Sequence, residues 1–196
     1  MGKQYTEIEG RLREFLLAQP LFFVGSAPSG EEGHVNISPK GMAGTFAVLG
    51  PSRVAYLDYT GSGTETIAHV RQNGRIVLMF CAFSGPPKIV RLHGSGRVVA
   101  CGAPEFDALR DNFGKDRQLG QRSIIVVEVS RIADSCGYSV PRMDFVADRD
   151  VLDVAQARRD PEFFAEYWRE RNARSIDGLA GFGASAVSGA PAPSGG

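Results

Sequence analysis

The segment VAYLDYTGSGTETIAHV, residues 54–70, decides the fold predicted for this chain. Residues 53–59 are rich in apolar and aromatic side chains and predict a β-strand. The glycines Gly61 and Gly63 predict a tight turn, after which apolar residues at helical spacing continue to Asn73-Gly74. The segment therefore predicts a strand, a glycine turn and a short helix in direct succession.

The glycine turn has the features of an anion-binding site. Glycines let the backbone bend so that its N–H groups approach a ligand. The start of a helix leaves N–H groups unpaired and carries a partial positive charge. The same segment also fits a helix capped by Ser62 and Glu65 that needs no ligand. The residues alone favour neither interpretation. The hydroxyl donors at the turn are Thr60, Ser62, Thr64 and Thr66.

The turn does not match a dinucleotide-binding fingerprint. That pattern needs a third glycine or alanine, and Thr66 stands at that position. It also needs an acidic residue about 20 residues later, where residues 81–85 read CAFSG. The lysine of a P-loop is absent as well, so the segment predicts neither a dinucleotide-binding fold nor a P-loop.

The surrounding segments predict further strands joined by short turns. Few helices interrupt them, which favours an antiparallel meander closing toward a barrel over alternating β-α-β units. Gly94 and Gly96 lie inside one strand and predict a bulge or a close backbone approach. Strands are predicted at residues 21–27, 34–38, 45–49, 75–83, 88–101 and 123–129, and helices near residues 8–16, 104–113 and 161–168.

Composition and charge narrow the class of protein. The chain has 196 residues, which fits one domain, expected over residues 1–182. Residues 183–196 are mainly Gly, Ala, Ser and Pro, which predicts a disordered tail. The 22 Lys and Arg residues balance the 22 Asp and Glu residues. Because nucleic-acid-binding domains usually carry a basic excess, we expect no nucleic-acid partner.

The sequence also bears on the location of the protein and on its cysteines. No apolar run approaches the roughly 18 residues that a membrane-spanning helix needs. The first residues, MGKQY, lack the apolar core of a secretion signal. We therefore expect a cytoplasmic protein with no membrane partner. Cys81, Cys101 and Cys136 are widely spaced without a CxxC motif, which predicts reduced thiols, although a redox role for Cys136 stays open.

A second segment, HVNISPKG at residues 34–41, is a candidate for contact with a flat ligand. A strand edge that ends in Pro and Gly presents backbone donors and acceptors. A flavin ring needs such donors at N5, O4 and O2, and a lysine near N1 and O2 tunes its electronics. By itself the segment equally fits a strand end with a solvated lysine, Lys40.

Several motifs in this order resemble the flavin-nucleotide-binding proteins related to pyridoxamine 5′-phosphate oxidase. They are HVNISPKG, VAYLDYTGSGTETIAHV, NGRIVLMF, KIVRLHGSGRV, SIIVVEVSRIADSCGYSVP and WRERNARSIDGL, and the resemblance covers about residues 21–179. The resemblance implies a mainly β fold with flanking helices, an antiparallel split β-barrel. It also implies a homodimer with FMN bound at the subunit interface.

The resemblance further implies which residues hold the cofactor. Asn36, Ile37, Ser38 and Lys40 would line the isoalloxazine ring and the ribityl chain. The residues expected around the phosphate end are Asp58, Tyr59, Thr60, Gly61, Ser62, Glu65 and Thr66.

One departure from the family pattern concerns the phosphate. The oxidases carry a Ser-Arg-Lys triplet in this turn, whereas here Ser62 is followed by Gly63 and Thr64. Charge-assisted hydrogen bonds are about twice as strong as neutral ones. The departure predicts weaker FMN binding, or compensation by Arg71, Arg75 or an arginine of a partner subunit. It also argues against pyridoxamine phosphate oxidation itself, and leaves F420 or haem as alternative cofactors.

The leading functional prediction is an FMN-dependent oxidoreductase that acts on a small molecule. Because the flavin performs the chemistry, no acid–base side chain is required and no catalytic residue is predicted. The alternative is a flavin-nucleotide carrier without specific turnover. The predicted substrate residues are Arg91, His93, Tyr138 and Arg142. No metal site is predicted, since the histidines lack ligand spacing. The aromatic helix at residues 163–168 is interpreted as core or dimer packing, with a lid over the flavin as the alternative.

Overall fold

A computed structural model describes residues 2–183 of the chain. The predicted tail lies outside the described residues except for Gly183. The strands are β1 (Gln4–Tyr5), β2 (Leu21–Ser26), β3 (Asn36–Gly41), β4 (Phe46–Gly50), β5 (Arg53–Tyr59), β6 (Arg75–Cys81), β7 (Ile89–Ala100) and β8 (Gln121–Ser135). The helices are α1 (Gly10–Ala18), α2 (Glu65–Asn73), α3 (Pro104–Arg110), α4 (Val151–Ala157) and α5 (Pro161–Arg171).

The strands form one antiparallel sheet in the order β3-β2-β6-β7-β8-β5-β4, with β1 paired to β8. The sheet curls so that its two ends approach each other. Phe22 on β2 lies 5.3 Å from Phe46 on β4 between ring centroids, and Lys40 on β3 reaches Asp58 on β5. The predicted antiparallel split barrel is therefore confirmed.

The long strands β7 and β8 bend at a bulge, where their register shifts between His93 and Gly94. A Cβ atom at Gly94 would lie 2.1 Å from the carbonyl oxygen of Glu128, so only glycine fits there. The bulge that the sequence predicted is confirmed, and it separates the first half of β8, which pairs with β5, from the second half, which pairs with β1.

The concave face of the sheet holds the main core. Side chains alternate between the faces of a strand, and in β2 Phe22 and Val24 are buried while their neighbours are partly exposed. Phe22 stacks on Phe80 and meets Tyr56 edge-on, with ring centroids 5.2 Å and 5.6 Å away. Helix α2 closes this core with Ile67 and Val70. A second cluster under α3 includes Leu57, Val126 and Phe106.

Some element boundaries differ from the sequence prediction. Strand β3 continues through Pro39, which an edge strand tolerates because one side of it needs no ladder bond. Strand β8 runs to Ser135, past the predicted end at residue 129. Helix α4 was not predicted. Helix α5 begins at Asp160-Pro161, where the Asp160 carboxylate accepts a bond from the Phe163 N–H at 2.8 Å. Among the helices of residues 2–183, none is long and apolar enough to cross a membrane.

Candidate functional site

The turn after β5 is built over a buried ion pair. Arg122 on β8 donates from Nε to Oδ2 of Asp58 at 2.6 Å, and Lys40 on β3 donates to Oδ1 at 3.2 Å. Asp58 is 2% exposed and Arg122 is 3% exposed. Burial alone raises the pKa of Asp58, but Arg122 and Lys40 outweigh burial and lower that pKa. Asp58 is therefore a carboxylate that anchors two cations beneath the turn.

The remaining donors of Arg122 hold the carbonyl groups of the turn. Its Nη2 donates to the Gly63 carbonyl at 2.7 Å, and its Nη1 lies 3.4 Å from the Gly61 carbonyl. Nη1 also donates to the side-chain oxygen of Asn172 at 2.8 Å, and the Asn172 amide donates to the Gly61 carbonyl at 2.9 Å. Asn172 is fully buried. The carbonyl groups of Gly61 and Gly63 thus point into the protein.

This arrangement turns the N–H groups outward. In a trans peptide the carbonyl of one residue and the N–H of the next point in opposite directions, and the described chain contains only trans peptides. The N–H groups of Ser62 and Thr64 therefore face away from Arg122. Ser62 N–H makes no hydrogen bond within the described residues, whereas Thr64 N–H donates to Oε2 of Glu65 at 3.0 Å. Within the described residues the turn thus presents one unbonded N–H of the kind an anion needs, that of Ser62, and a second, that of Thr64, which already bonds a carboxylate.

Thr60 positions the turn rather than facing outward. Its hydroxyl accepts the indole N–H of Trp168 at 2.8 Å, its carbonyl accepts Nε2 of Gln156 at 3.1 Å, and its N–H donates to Gly120 at 2.7 Å. Trp168 is 6% exposed and packs in the main core. The structure thus supports the core interpretation of the aromatic helix. Tyr59 lies on the face of β5 opposite Asp58. Its hydroxyl accepts a hydrogen bond from the side-chain amide of Gln121 at 2.9 Å.

A polar cluster lies where β3 begins and α2 starts. The Asn36 side-chain amide donates to Thr66 Oγ1 at 3.0 Å and to Ser38 Oγ at 3.1 Å. Asn36, Ser38 and Lys40 share one face of β3 because side chains alternate along a strand. Ile37 lies on the other face and is 69% exposed. The structure brings together Asn36, Ser38 and Thr66, and it separates Ile37 from them.

His69 belongs to the same cluster and was not predicted as a site residue. It lies on α2 one turn after Thr66, is fully buried, and its Nδ1 is 3.0 Å from Ser26 Oγ. Its Nε2 is buried and has no hydrogen-bond partner in the described part of the chain. Burial lowers the pKa of His69, so the ring is neutral at neutral pH.

The chain returns across the start of α2 after α5, as a segment of residues 172–182 that we name the C-terminal strap. The Phe182 N–H donates to Thr64 Oγ1 at 3.0 Å, and the Ile176 N–H donates to Glu65 Oε1 at 3.3 Å. Arg71 donates to the carbonyl of Gly181. Arg71, which the sequence suggested as a compensating cation, is thus bonded to the C-terminal strap.

The predicted substrate residues lie apart from the turn. Arg91 and His93 alternate with the buried Val90 and Leu92, so they lie on the convex face of the sheet. Arg91 donates to Ser135 Oγ at 3.1 Å. Burial is the largest cause that lowers the pKa of His93, and the nearby Arg131 and Arg91 lower it further. Tyr138, 82% exposed, and Arg142 follow β8 in an irregular segment.

A groove of about 680 Å³ lies at the end of β3, between α1 and residues 143–148. Gly41 and Met42 line it directly after Lys40. Its walls are mainly apolar and include Leu16, Phe22, Phe46, Phe83 and Phe145. The groove adjoins one end of the Asn36–Lys40 row, and the sequence did not predict it.

The cysteines and histidines do not form a metal cluster in residues 2–183. Cys81 is buried, Cys101 is partly buried and Cys136 is exposed, and none forms a disulfide in this range. His34 pairs with Asp177 of the C-terminal strap at 2.6 Å, far along the chain from His69 and His93.

Arg122 and Asn172 are the residues that the sequence prediction missed. A charged residue at the edge of the apolar run SIIVVEV was the only signal for Arg122. Asn172 follows the charged end of α5, and its only signal was its place in the motif WRERNARSIDGL. Arg122 lies 59 residues after Gly63 in the chain, and Asn172 lies 111 residues after Gly61.

Comparison with known proteins defines the class. Residues 8–136 match the family model described as Pyridoxamine 5'-phosphate oxidase. The chain is 40% identical over 191 residues to the "Pyridoxamine 5'-phosphate oxidase family protein ustO" of Aspergillus flavus, covering 90% of this chain and 76% of that protein. The chain therefore belongs to the pyridoxamine 5′-phosphate oxidase family, and the predicted resemblance is confirmed.

One solved structure shows the same fold. A variant of HupZ from Group A Streptococcus superposes with a TM-score of 0.50 at 19% identity, covering 65% of this chain and 99% of that chain. An FAD-binding protein from Mesorhizobium loti has a TM-score of 0.46 at 10% identity and covers 68% of this chain and 96% of that chain. At this identity the first of these likenesses concerns the fold alone.

Proposed function

We propose that this protein is an FMN-dependent oxidoreductase that acts on a small molecule. The observation that carries the proposal is the turn at residues 61–64, whose carbonyl groups are held inward and whose N–H groups face outward. Family membership adds support, since several motifs of the chain recur in a family named for an oxidase. The flavin supplies two-electron chemistry when it is bound.

The donor set of the site fits a flavin nucleotide. Ser62 offers an outward N–H and an exposed hydroxyl to a phosphate, and Thr66 adds a hydroxyl at the start of α2. Asn36 and Ser38 offer amide and hydroxyl groups along β3. The unpaired Nε2 of His69 leaves one buried polar atom of the cluster for a ligand or a water to satisfy.

Lys40 is proposed to set the charge near the flavin ring. Its side chain is 25% exposed and bridges buried Asp58 and the open end of the barrel. Its Nζ also lies 5.7 Å from the ring centroid of Tyr56. A lysine held in this way provides a fixed positive charge, which stabilises negative charge on a nearby ligand.

The proposed substrate region is the apolar groove beside Gly41, because it adjoins Lys40 and has space for a small molecule. The substrate roles of Arg91, His93, Tyr138 and Arg142 stay predictions. We propose that a second copy covers the convex face of β3, β2 and β6, where Ile37 is 69% exposed beside Phe23 and Met79.

A carrier without specific turnover is the second candidate. The observation that favours it is the absence, in residues 2–183, of convergent polar groups among the four predicted substrate residues. Such a protein would bind the flavin and hand it on without reducing a substrate of its own.

The visible absorption spectrum of the purified protein tests the proposal, because FMN, F420 and haem absorb differently. FMN titration of the apoprotein, followed by flavin fluorescence, then compares the natural chain with Ser62→Ala/Thr66→Ala. We expect the double variant to bind about tenfold more weakly, since two hydroxyl donors are removed. Ser52→Ala, in the exposed turn before β5, is the matched control.

A colourless protein that takes up no FMN would contradict the proposal. Unchanged FMN affinity in the double variant would show that the phosphate binds elsewhere. Turnover separates the two candidate functions. An oxidoreductase is reduced by NAD(P)H or by a member of a substrate panel and reoxidised over repeated cycles, whereas a carrier shows neither reaction.

A further inference from the structure

One outward N–H of the glycine turn is already bonded to an anion. The Thr64 N–H donates to Oε2 of Glu65 at 3.0 Å. A Cβ atom at Gly63 would lie 2.9 Å from the same oxygen, so the glycine leaves the space in which the carboxylate folds back over the turn. A carboxylate of the protein thus sits where a phosphate oxygen would accept a bond.

The other oxygen of Glu65 is held by the C-terminal strap. Glu65 Oε1 accepts the Ile176 N–H at 3.3 Å. The same strap is tied to the turn by the bond from Phe182 to Thr64, and to the loop before β3 by the pair of Asp177 with His34. The carboxylate is therefore fixed from two sides.

Glu65 forms no salt bridge within residues 2–183, because the nearby cations are bonded to other groups. Arg122 and Lys40 are bonded to Asp58 beneath the turn, and Arg71 donates to the strap carbonyl of Gly181. A phosphate that approaches the turn therefore meets a negative charge of the protein, and like charges at contact distance repel.

We infer that Glu65 is a specificity-determining residue, a built-in competitor that a phosphate must displace in order to bind the turn. The inference rests on the proposed function in that the flavin phosphate is the natural anion. It predicts a site that gains less from the phosphate of FMN than the same turn would gain without the carboxylate, so removing the charge of Glu65 should strengthen FMN binding relative to riboflavin.

A purely structural role for Glu65 makes a different prediction. A carboxylate at the first residue of α2 also stabilises the helix through its dipole. In that case removing the charge lowers stability and leaves anion affinity unchanged. Anion affinity is therefore the measurement that separates the two roles.

Inorganic phosphate is the probe, titrated at constant ionic strength because salt screens the interaction. The amide signals of Ser62, Gly63 and Thr64 are followed by NMR in the natural chain, in Glu65→Gln and in Glu65→Ala. Glu162→Gln, at the exposed start of α5, removes the same charge away from the turn and is the matched control.

We expect both Glu65 variants to bind phosphate about tenfold more tightly than the natural chain, with Glu162→Gln unchanged. Either variant suffices if the other does not fold. Equal phosphate affinity in the natural chain and the Glu65 variants overturns the inference, as does a gain of the same size in Glu162→Gln.

Flavin binding is measured separately, as the ratio of the dissociation constants for riboflavin and FMN. We expect Glu65→Gln to raise this ratio about tenfold while riboflavin affinity stays constant. A ratio unchanged in Glu65→Gln overturns the inference. If no protein binds either flavin but the gain in phosphate affinity holds, the proposed flavin function fails and the competitor role of Glu65 stands.

Discussion

Replacing Arg122 with methionine tests the support of the turn most directly. The change leaves Asp58 buried at 2% exposure and deprives it of its closest partner, the guanidinium at 2.6 Å. Removing one partner of a buried ion pair costs about 3–5 kcal/mol. Lys40 still contacts Asp58 and Asn172 still holds the Gly61 carbonyl, so we expect the lower part of that range, about 3 kcal/mol.

Chemical denaturation measures this loss, with fluorescence of the single tryptophan, Trp168, as the signal. The indole bonds Thr60 at the base of the turn, so its emission reports on the same region. Arg53→Met is the matched control, because Arg53 pairs with Glu128 at side-chain exposures of 54% and 49%. An exposed pair contributes about 0–1 kcal/mol. Equal losses in the two variants would refute the buried-pair reasoning.

Arg122→Lys separates charge from geometry. Lysine keeps a cation beside Asp58 but lacks the planar fork that also reaches the carbonyl of Gly63. We expect a loss of about 1–2 kcal/mol, together with weaker FMN binding, since the N–H groups of the turn are no longer held outward. Full FMN affinity in this variant would show that the turn orients itself without Arg122.

The remaining predictions concern pH, the bulge and the thiols. The pKa of Asp58 is lowered in the folded state, so the stability that Asp58 contributes is present above about pH 4 and is lost as pH falls toward the folded pKa. The stability of Asp58→Asn, measured by acid denaturation, should therefore depend less on pH in this range than that of the natural chain. Gly94→Ala should cost at least about 2 kcal/mol because its Cβ meets backbone, whereas Gly50→Ala, with open space around it, should cost well under 1 kcal/mol, measured by thermal unfolding. The exposed Cys136 should react with a maleimide within minutes, while buried Cys81, whose pKa burial raises, should react only after unfolding; equal rates would contradict the described burial.

The local pattern was enough to predict seven of the eight strands of residues 2–183, all except the two-residue strand β1. Residues 53–59 form β5 with the predicted bounds, because the apolar run and the following glycine turn are both local signals. The two glycines near His93 predicted the bulge for the same reason. Helix α4 escaped prediction because Val151 and Val154 are exposed and Gln156 is the buried residue, so apolar spacing does not mark its inner face.

The site depends on contacts that no local pattern encodes. The alternation of side chains along β7 places Arg91 and His93 on one face of the sheet. That Asn36 lies on the opposite face follows only from the register of β7 with β6 and of β2 with β3. The absence of the Arg-Lys pair is visible in the sequence of the turn itself. Arg122, by contrast, lies on β8, 64 residues after Asp58 in the chain.

The position of Arg122 changes the electrostatics expected of the site. A cation above the turn would attract a phosphate through its charge, and such attraction weakens steeply with salt. Here the guanidinium lies below the turn, neutralised by Asp58, and acts on a ligand only by orienting the N–H groups of Ser62 and Thr64. Backbone dipoles fixed in this way bind an anion without a net charge of their own. Because Glu65 adds a negative charge on the outer side, we expect Asn36 and Ser38 along β3 to share the recognition of a ligand with the turn.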